Sequence, residues 1–203
     1  MKVEVKTYDL PDFNIFRSEK LVDHVIWRPD RKYLVLGRSN NAENSLYLDS
    51  VTKDGIEIFK RPSGGETVMI SQNTLVISVK IRIDNIFETH KYFRIINARI
   101  IEGLSKTGIK NLSIRGISDI CIGNKKILGS SIFRDKNIIF YHAVLNISES
   151  PEIISKYLKH PSREPDYREG RDHSKFITSL FNEGYKLEYY QISDSINQEL
   201  EKL

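Results

Sequence analysis

The residues best suited to chemistry in this chain fall into two groups. The first is the run Lys60-Arg61-Pro62-Ser63-Gly64-Gly65-Glu66-Thr67-Val68, where two cations precede a Ser-Gly-Gly turn that leads into an apolar segment. Glycines let a backbone approach an anion closely, and Lys and Arg neutralise its charge, so the turn could hold a phosphate or a carboxylate. An ordinary solvated hairpin has the same composition. The second group is Ser118-Asp119-Ile120-Cys121-Ile122-Gly123-Asn124-Lys125-Lys126-Ile127-Leu128-Gly129-Ser130-Ser131. On a strand Asp119 and Cys121 share a face, and a hairpin at Gly123-Asn124 brings Lys126 back beside them. A lysine fixed next to an acid could polarise a phosphoanhydride or an acyl carbonyl, with Gly129 and Ser130 leaving room for a ligand. Further on, Tyr141-His142-Ala143-Val144 sets one histidine in an apolar strand, either as a satisfied core residue or as a ligand contact.

These groups need a scaffold, and the patterning describes one. Strands are expected over Lys32–Leu36, Gly55–Lys60, Thr74–Ile81, Ser118–Ile122, Lys126–Ser131 and Asn137–Ile147, and the first six residues also alternate. A helix is expected from about Glu88 to Ser105, with Tyr92, Ile96, Ile100 and Leu104 at helical spacing and Gly108 ending it. Others are expected from Pro151 to Leu158, from Asp172 to Asn182 before Gly184, and from Ser193 to Leu203 with Ser195 and Gln198 as a capping box. The segment from His160 to Arg171, rich in Pro and charge, reads as a loop whose Arg163, Arg168 and Arg171 could clamp a phosphate, meet an acidic partner or simply face solvent. The whole implies a single α+β domain over residues 1–203, with a mixed, largely antiparallel sheet and packed helices.

Composition excludes several classes. The chain has 203 residues, 39% hydrophobic and 29% charged, as expected of a globular domain with a real core. No apolar run approaches the roughly 20 residues that span a bilayer, and the N-terminus lacks the apolar core of a signal peptide. One cysteine allows neither an internal disulfide nor a zinc cluster, so a cytoplasmic location is expected. The net charge of +4 is mild, and without a Lys/Arg block or basic–aromatic repeat it argues against nucleic acid. Walker A and dinucleotide fingerprints are absent.

The order of the motifs resembles a known family. Gly37-Arg38-x-Asn40, the basic Ser-Gly-Gly run, Lys126-Ile-x-Gly129-Ser130 and His142-Ala143 follow one another as in the catalytic domain of lipoate–protein ligases and octanoyltransferases, whose fold is shared with biotin–protein ligases. The resemblance covers roughly residues 30 to 147. It implies ATP-dependent activation of lipoate or octanoate as an acyl-adenylate, then transfer to a lysine of a lipoyl-carrier protein, such as a glycine-cleavage H-type protein or an acyltransferase lipoyl domain. It further implies Lys126 as the central catalytic residue. Arg61, Ser63, Gly64, Gly65, Gly129, Ser130 and His142 would contact the acyl group and nucleotide, and Asp119 would lie near the nucleotide and a magnesium ion. Val35, Leu36 and Val68 would wall the acyl tunnel. A chain of this length leaves no room for the family's C-terminal accessory domain, which a separate chain could supply.

The sequence departs from the family pattern in several places. Lys60 replaces an arginine, Glu66 a glycine, and Ile70-Ser71 a His-Asp pair, while the expected Gly-Asn pair is reduced to Asn73. Glu66 is the departure that bears most on function, because a carboxylate beside an anion site is repulsive unless it binds a cation or points away. Two other functions stay open. Cys121 could serve as the acyl-carrying thiol of a transferase or as a small buried residue, and the chain could bind a lipoylated protein or cofactor without turnover.

Overall fold

The computed structural model describes residues 3–83 and 89–203. Strands β1 (Lys6–Thr7), β3 (Tyr33–Leu36), β4 (Glu57–Lys60) and β5 (Val68–Ile70) form a small sheet in the order β1-β4-β3-β5. Strands β2 (Val22–Trp27), β6 (Thr74–Arg82), β7 (Leu112–Arg115), β8 (Asp119–Ile122), β9 (Lys125–Asp135) and β10 (Ile138–Asn146) form a larger one, in the order β2-β6-β10-β9-β8-β7. The large sheet is antiparallel throughout, whereas β4 pairs in parallel with both β1 and β3. The α+β architecture expected from the sequence is therefore present, as two sheets.

Alternation along the strands builds the layers. Leu34 and Leu36 of β3 face one way, with Ile58 and Met69, and pack on helices α1 (Ala42–Ser45), α2 (Leu48–Lys53) and α4 (Pro151–Tyr157). Tyr33 and Val35 face the other way and meet Val76 of β6 between the sheets. The opposite face of β6, with Leu75, Ile77 and Val79, packs on α3 (Thr89–Lys106) and α6 (Tyr189–Leu200). Ile96, Ile100 and Leu104, the helical stripe legible in the sequence, are fully buried there, whereas Tyr92 is only half-buried.

The crossing of α3 and α6 is very close. A Cβ on Gly103 would lie 2.7 Å from the Ile196 Cα, and the Ser195 hydroxyl donates to the Gly103 carbonyl at 2.8 Å. At the end of the crossing, the buried Glu199 carboxylate accepts from Lys106 of α3 and, at 2.6 Å, from Lys202.

Several expectations change. The helix expected over Asp172–Asn182 is only α5 (His173–Phe176). Beyond it Ile177 runs extended beside β9, where the Thr178 N–H donates to the Lys126 carbonyl at 2.9 Å, so a tertiary bond and two β-branched residues override helix propensity. The last helix begins at Tyr189, capped by Glu188 with Gln191, and Ser195 lies inside it bonded to α3. Of the N-terminal alternation only Lys6–Thr7 pairs as strand, and Met1 and Lys2 lie outside the described residues, as does Glu88 at the expected start of α3. Strands β2, β5 and β7 and helices α1 and α2 were not anticipated.

Two measurements check this packing. Gly103→Ala should destabilise the fold by about 1–3 kcal/mol in denaturant titration, because backbone must move to admit the methyl. Hydrogen bonds from Lys106 and Lys202 hold the Glu199 carboxyl down to about 2, from an ordinary value of 4.5. The stability this gives is fully present above about pH 4.5 and is lost as pH falls through about 2. Glu199→Gln should therefore flatten the acid limb of the stability–pH curve over that range.

Candidate active site

A cavity of about 340 Å³ opens between the two sheets. It is lined by apolar Val35, Val68, Ile70, Val76 and Val144 and by polar groups that include Arg61, His142, Lys126, Glu66, Asn40 and residues of the 160–173 segment. Size and lining suit a small ligand with an apolar body and a polar or anionic end.

Lys126 sits where the hairpin reading puts it. The β8–β9 turn pairs it with Cys121, and a bulge at Ile120/Cys121 shifts the register locally. Its Nζ lies 2.7 Å from the Asp119 carboxylate, whose other oxygen accepts from the Tyr167 hydroxyl at 2.8 Å. Gly129 makes this possible. A Cβ there would fall 2.6 Å from both Cε and Nζ of Lys126, so the lysine lies across a position that only glycine leaves clear. The ammonium is thus held at the cavity wall, about a quarter exposed, with its direction set by a buried acid.

The Ser-Gly-Gly turn is braced from inside. Arg61 is buried, and its guanidinium donates to Ser63 Oγ at 3.0 Å, the Val35 carbonyl at 3.1 Å, and the Gly64 and Glu66 carbonyls at 2.8 Å. Burial lowers its pKa to about 10, which leaves it charged at neutral pH. Ser63 Oγ also shares a 2.5 Å hydrogen bond with His142 Nε2. Burial, aided by the Arg61 charge, pushes His142 down to about 3, so its ring is neutral and acts as a hydrogen-bonding group rather than an acid. Gly65 has φ +84° and abuts Gly37, where a Cβ would meet the Gly65 carbonyl oxygen at 1.9 Å. Both positions therefore require glycine.

The expected site residues divide accordingly. Lys126, Gly129, Ser130, His142, Arg61 and Gly65 all line the cavity, as do Val35 and Val68. Ser63, Gly64, Asp119 and Leu36 are not part of the lining; Ser63 bonds the wall residues Arg61 and His142, and Asp119 holds Lys126. Lys126 and Tyr167 each bond one oxygen of the Asp119 carboxylate. Among the described residues no group of three or more His, Cys, Asp or Glu could hold a metal. Cys121 is fully buried, with Sγ 3.5 Å from the Tyr167 hydroxyl, and burial raises its thiol pKa.

Glu66 has a structural role that the sequence did not disclose. Its carboxylate accepts from Asn40 Nδ2 at 3.3 Å, from Ser162 Oγ at 3.3 Å and from the Arg163 N–H at 3.2 Å. It ties the turn to the Pro- and Arg-rich loop that covers the cavity, and Tyr167 of the same loop reaches Asp119. No spacing rule links Glu66 to Ser162 and Arg163, 96 and 97 residues away along the chain, or Tyr167 to Asp119, 48 residues away.

The family follows from a comparison with known proteins. The model of the lipoyl protein ligase A/B catalytic domain matches residues 18–201. The chain belongs to this family. Lipoate-protein ligase A subunit 1 of Thermoplasma acidophilum is 27% identical over 165 residues, which cover 75% of this chain and 62% of that protein. Lipoate-protein ligase LplJ of Bacillus subtilis is 25% identical over 158 residues, 73% of this chain and 46% of the relative. The chain thus spans about half the length of these lipoate-protein ligases. Among solved structures, a bi-partite lipoate protein ligase from T. acidophilum, described with its E2 lipoyl domain, superposes with a TM-score of 0.80 at 18% identity over 100% of this chain and 83% of its own. A lipoate-protein ligase A bound with ATP gives 0.79 at 20% identity, over 100% and 85%. The fold is therefore that of these ligases. No helix among the described residues is long and apolar enough to cross a membrane.

Removing the Glu66 tie tests its role. Glu66→Ala breaks three long, partly exposed hydrogen bonds, together worth about 1–2 kcal/mol. Amide exchange in residues 162–171 should then speed up roughly tenfold while exchange in β6 and β10 is unchanged.

Proposed function

We propose that this chain is the catalytic domain of an ATP-dependent lipoate–protein ligase, acting on lipoate or octanoate. One observation carries the reading: an ammonium ion, held by Asp119 across Gly129, stands in the wall of a cavity between two sheets that is lined by a cluster of valines as well as polar groups. In the first step a carboxylate oxygen of the acid attacks the α-phosphorus of ATP, the bond to the β-phosphate oxygen breaks, and pyrophosphate leaves. Lys126 stabilises the charge that develops on the phosphoryl and carboxylate oxygens, and it needs no reorientation because Asp119 already holds it. In the second step a lysine amine of a lipoyl-carrier protein attacks the acyl carbon, AMP departs, and the amine proton is released.

The apolar wall of Val35, Val68, Ile70, Val76 and Val144 takes the acyl body and excludes water. His142 stays neutral and fixes Ser63, which keeps the turn closed around Arg61. Any magnesium would arrive on the nucleotide phosphates, since the protein offers no cage for it among the described residues. The bi-partite T. acidophilum neighbour, described with its E2 lipoyl domain, supports a lipoyl-domain acceptor and a separate accessory chain. The buried thiol of Cys121 argues against a thioester route, and bonds from Ser162 and the Arg163 N–H hold the Glu66 carboxylate against the 160–173 segment.

Exchange of labelled pyrophosphate into ATP, dependent on lipoate or octanoate, tests the reading. Lys126→Ala should lower exchange by about 10²-fold or more, as loss of a transition-state donor does. Gly129→Ala, which displaces the lysine, should lower it by roughly tenfold. Cys121→Ser should leave exchange intact. Wild-type exchange that persists undiminished in Lys126→Ala would overturn the assignment, as would a thioester that disappears in Cys121→Ser.

A further inference from the structure

Among the described residues that line the cavity, Glu66 is the single acid. Arg61, Lys126, Lys159, Arg163 and Arg168 share the lining with it. Other carboxylates close by are engaged: Asp119 bonds Lys126 and Tyr167, and Glu164 lies 3.3 Å from Arg168.

The charge of Glu66 has no such counterpart. Its carboxylate takes neutral donors only, the Asn40 amide on Oε2 and the Ser162 hydroxyl and Arg163 N–H on Oε1, at 3.3, 3.3 and 3.2 Å. Among the described residues no lysine, arginine or histidine side chain forms an ion pair with it. Arg61 donates to the backbone carbonyl of Glu66 and to oxygens of the turn, not to the carboxylate. An ionised carboxylate has about four acceptor positions, so Oε2, which takes one donor, keeps a lone pair unused.

Of the substrates of the proposed ligase, one complements this group. The acyl acid and ATP are anions and are served by the cations of the lining. The acceptor lysine arrives as an ammonium ion at neutral pH, because a free lysine titrates near about 10.4. Those same cations repel it, and a carboxylate attracts it. We propose that Glu66 is the acceptor-lysine subsite, whose carboxylate draws the ammonium into the cavity and receives its first proton. The freed amine then attacks the acyl carbon. The N–C bond forms, the bond from that carbon to the AMP oxygen breaks, and the second proton leaves the nitrogen for water. Glu66 afterwards returns its own proton to solvent. The inference rests on the ligase reading and gives its second step a residue. The family pattern has glycine at this position, so the subsite belongs to this chain's own departure from it.

Glu66→Gln tests it, because the amide oxygen still accepts from Asn40, Ser162 and the Arg163 N–H while the charge is lost. Three rates are measured on the full chain: pyrophosphate exchange, acyl transfer from purified acyl-adenylate to a lipoyl domain, and transfer to hydroxylamine, which is uncharged at neutral pH. Relative to exchange, transfer to the lipoyl domain should fall about tenfold or more, as loss of a hydrogen bond to a charged group does. Transfer to hydroxylamine should fall no further than exchange. Equal losses with the two nucleophiles would overturn the subsite, since the charge of the acceptor would then be immaterial. Equal losses in exchange and in transfer would overturn it too, by assigning the carboxylate to the nucleotide and its cation. If the wild type neither exchanges pyrophosphate nor transfers the acyl group to either nucleophile, the ligase reading itself fails and the subsite with it.

Discussion

The site depends on one ion pair, Lys126 with Asp119, laid across Gly129. A lysine is a flexible point charge, and left alone its ammonium would wander in solvent. Three constraints remove that freedom. The β8–β9 hairpin sets the direction from which the side chain departs, the glycine clears its path, and the carboxylate fixes its end. Tyr167 then secures the carboxylate from the covering loop. A charge positioned in advance stabilises a transition state without the reorganisation that water would need.

The Ser-Gly-Gly turn obeys a different logic from the one its composition suggests. Its arginine is turned inward, and the guanidinium satisfies carbonyls that a tight turn would otherwise leave unpaired in the interior. The turn thereby becomes a rigid wall, joined through Ser63 to His142 on the large sheet and through Ser131 Oγ, 2.9 Å from the Gly64 carbonyl, to β9. Glu66, which would be a liability beside a bare anion, faces the covering loop and is bonded there. Two departures from the family pattern, the acid at Glu66 and the Ile70-Ser71 pair, both find partners in the structure. Ile70 joins the apolar wall, and Ser71 bonds Glu149 at 2.5 Å.

Much of the scaffold was legible because it rests on local periodicity. The stripe of Ile96, Ile100 and Leu104, the hairpin at Gly123-Asn124 and the β-branched run from Thr74 each carry their own signal. Where neighbours decided, the reading failed. Ile177 and Thr178 leave the helical pattern because Lys126 offers them a backbone partner, and the short strands β2, β5 and β7 are each fixed by pairing with a neighbour, β6, β3 and β8.

The sequence by itself pointed to the family and set Lys126, Asp119 and Gly129 close together in one hairpin, whose geometry follows from alternation and a turn. That Gly129 clears the path of the lysine was decided only by the structure. Only the tertiary structure decided the partners of Arg61, Glu66 and Tyr167. Their residue types allow many partners, and which one each takes depends on segments brought together by burial of apolar surface. Hydrogen bonds formed afterwards are directional and short-ranged, so they record that packing and leave no period in the chain.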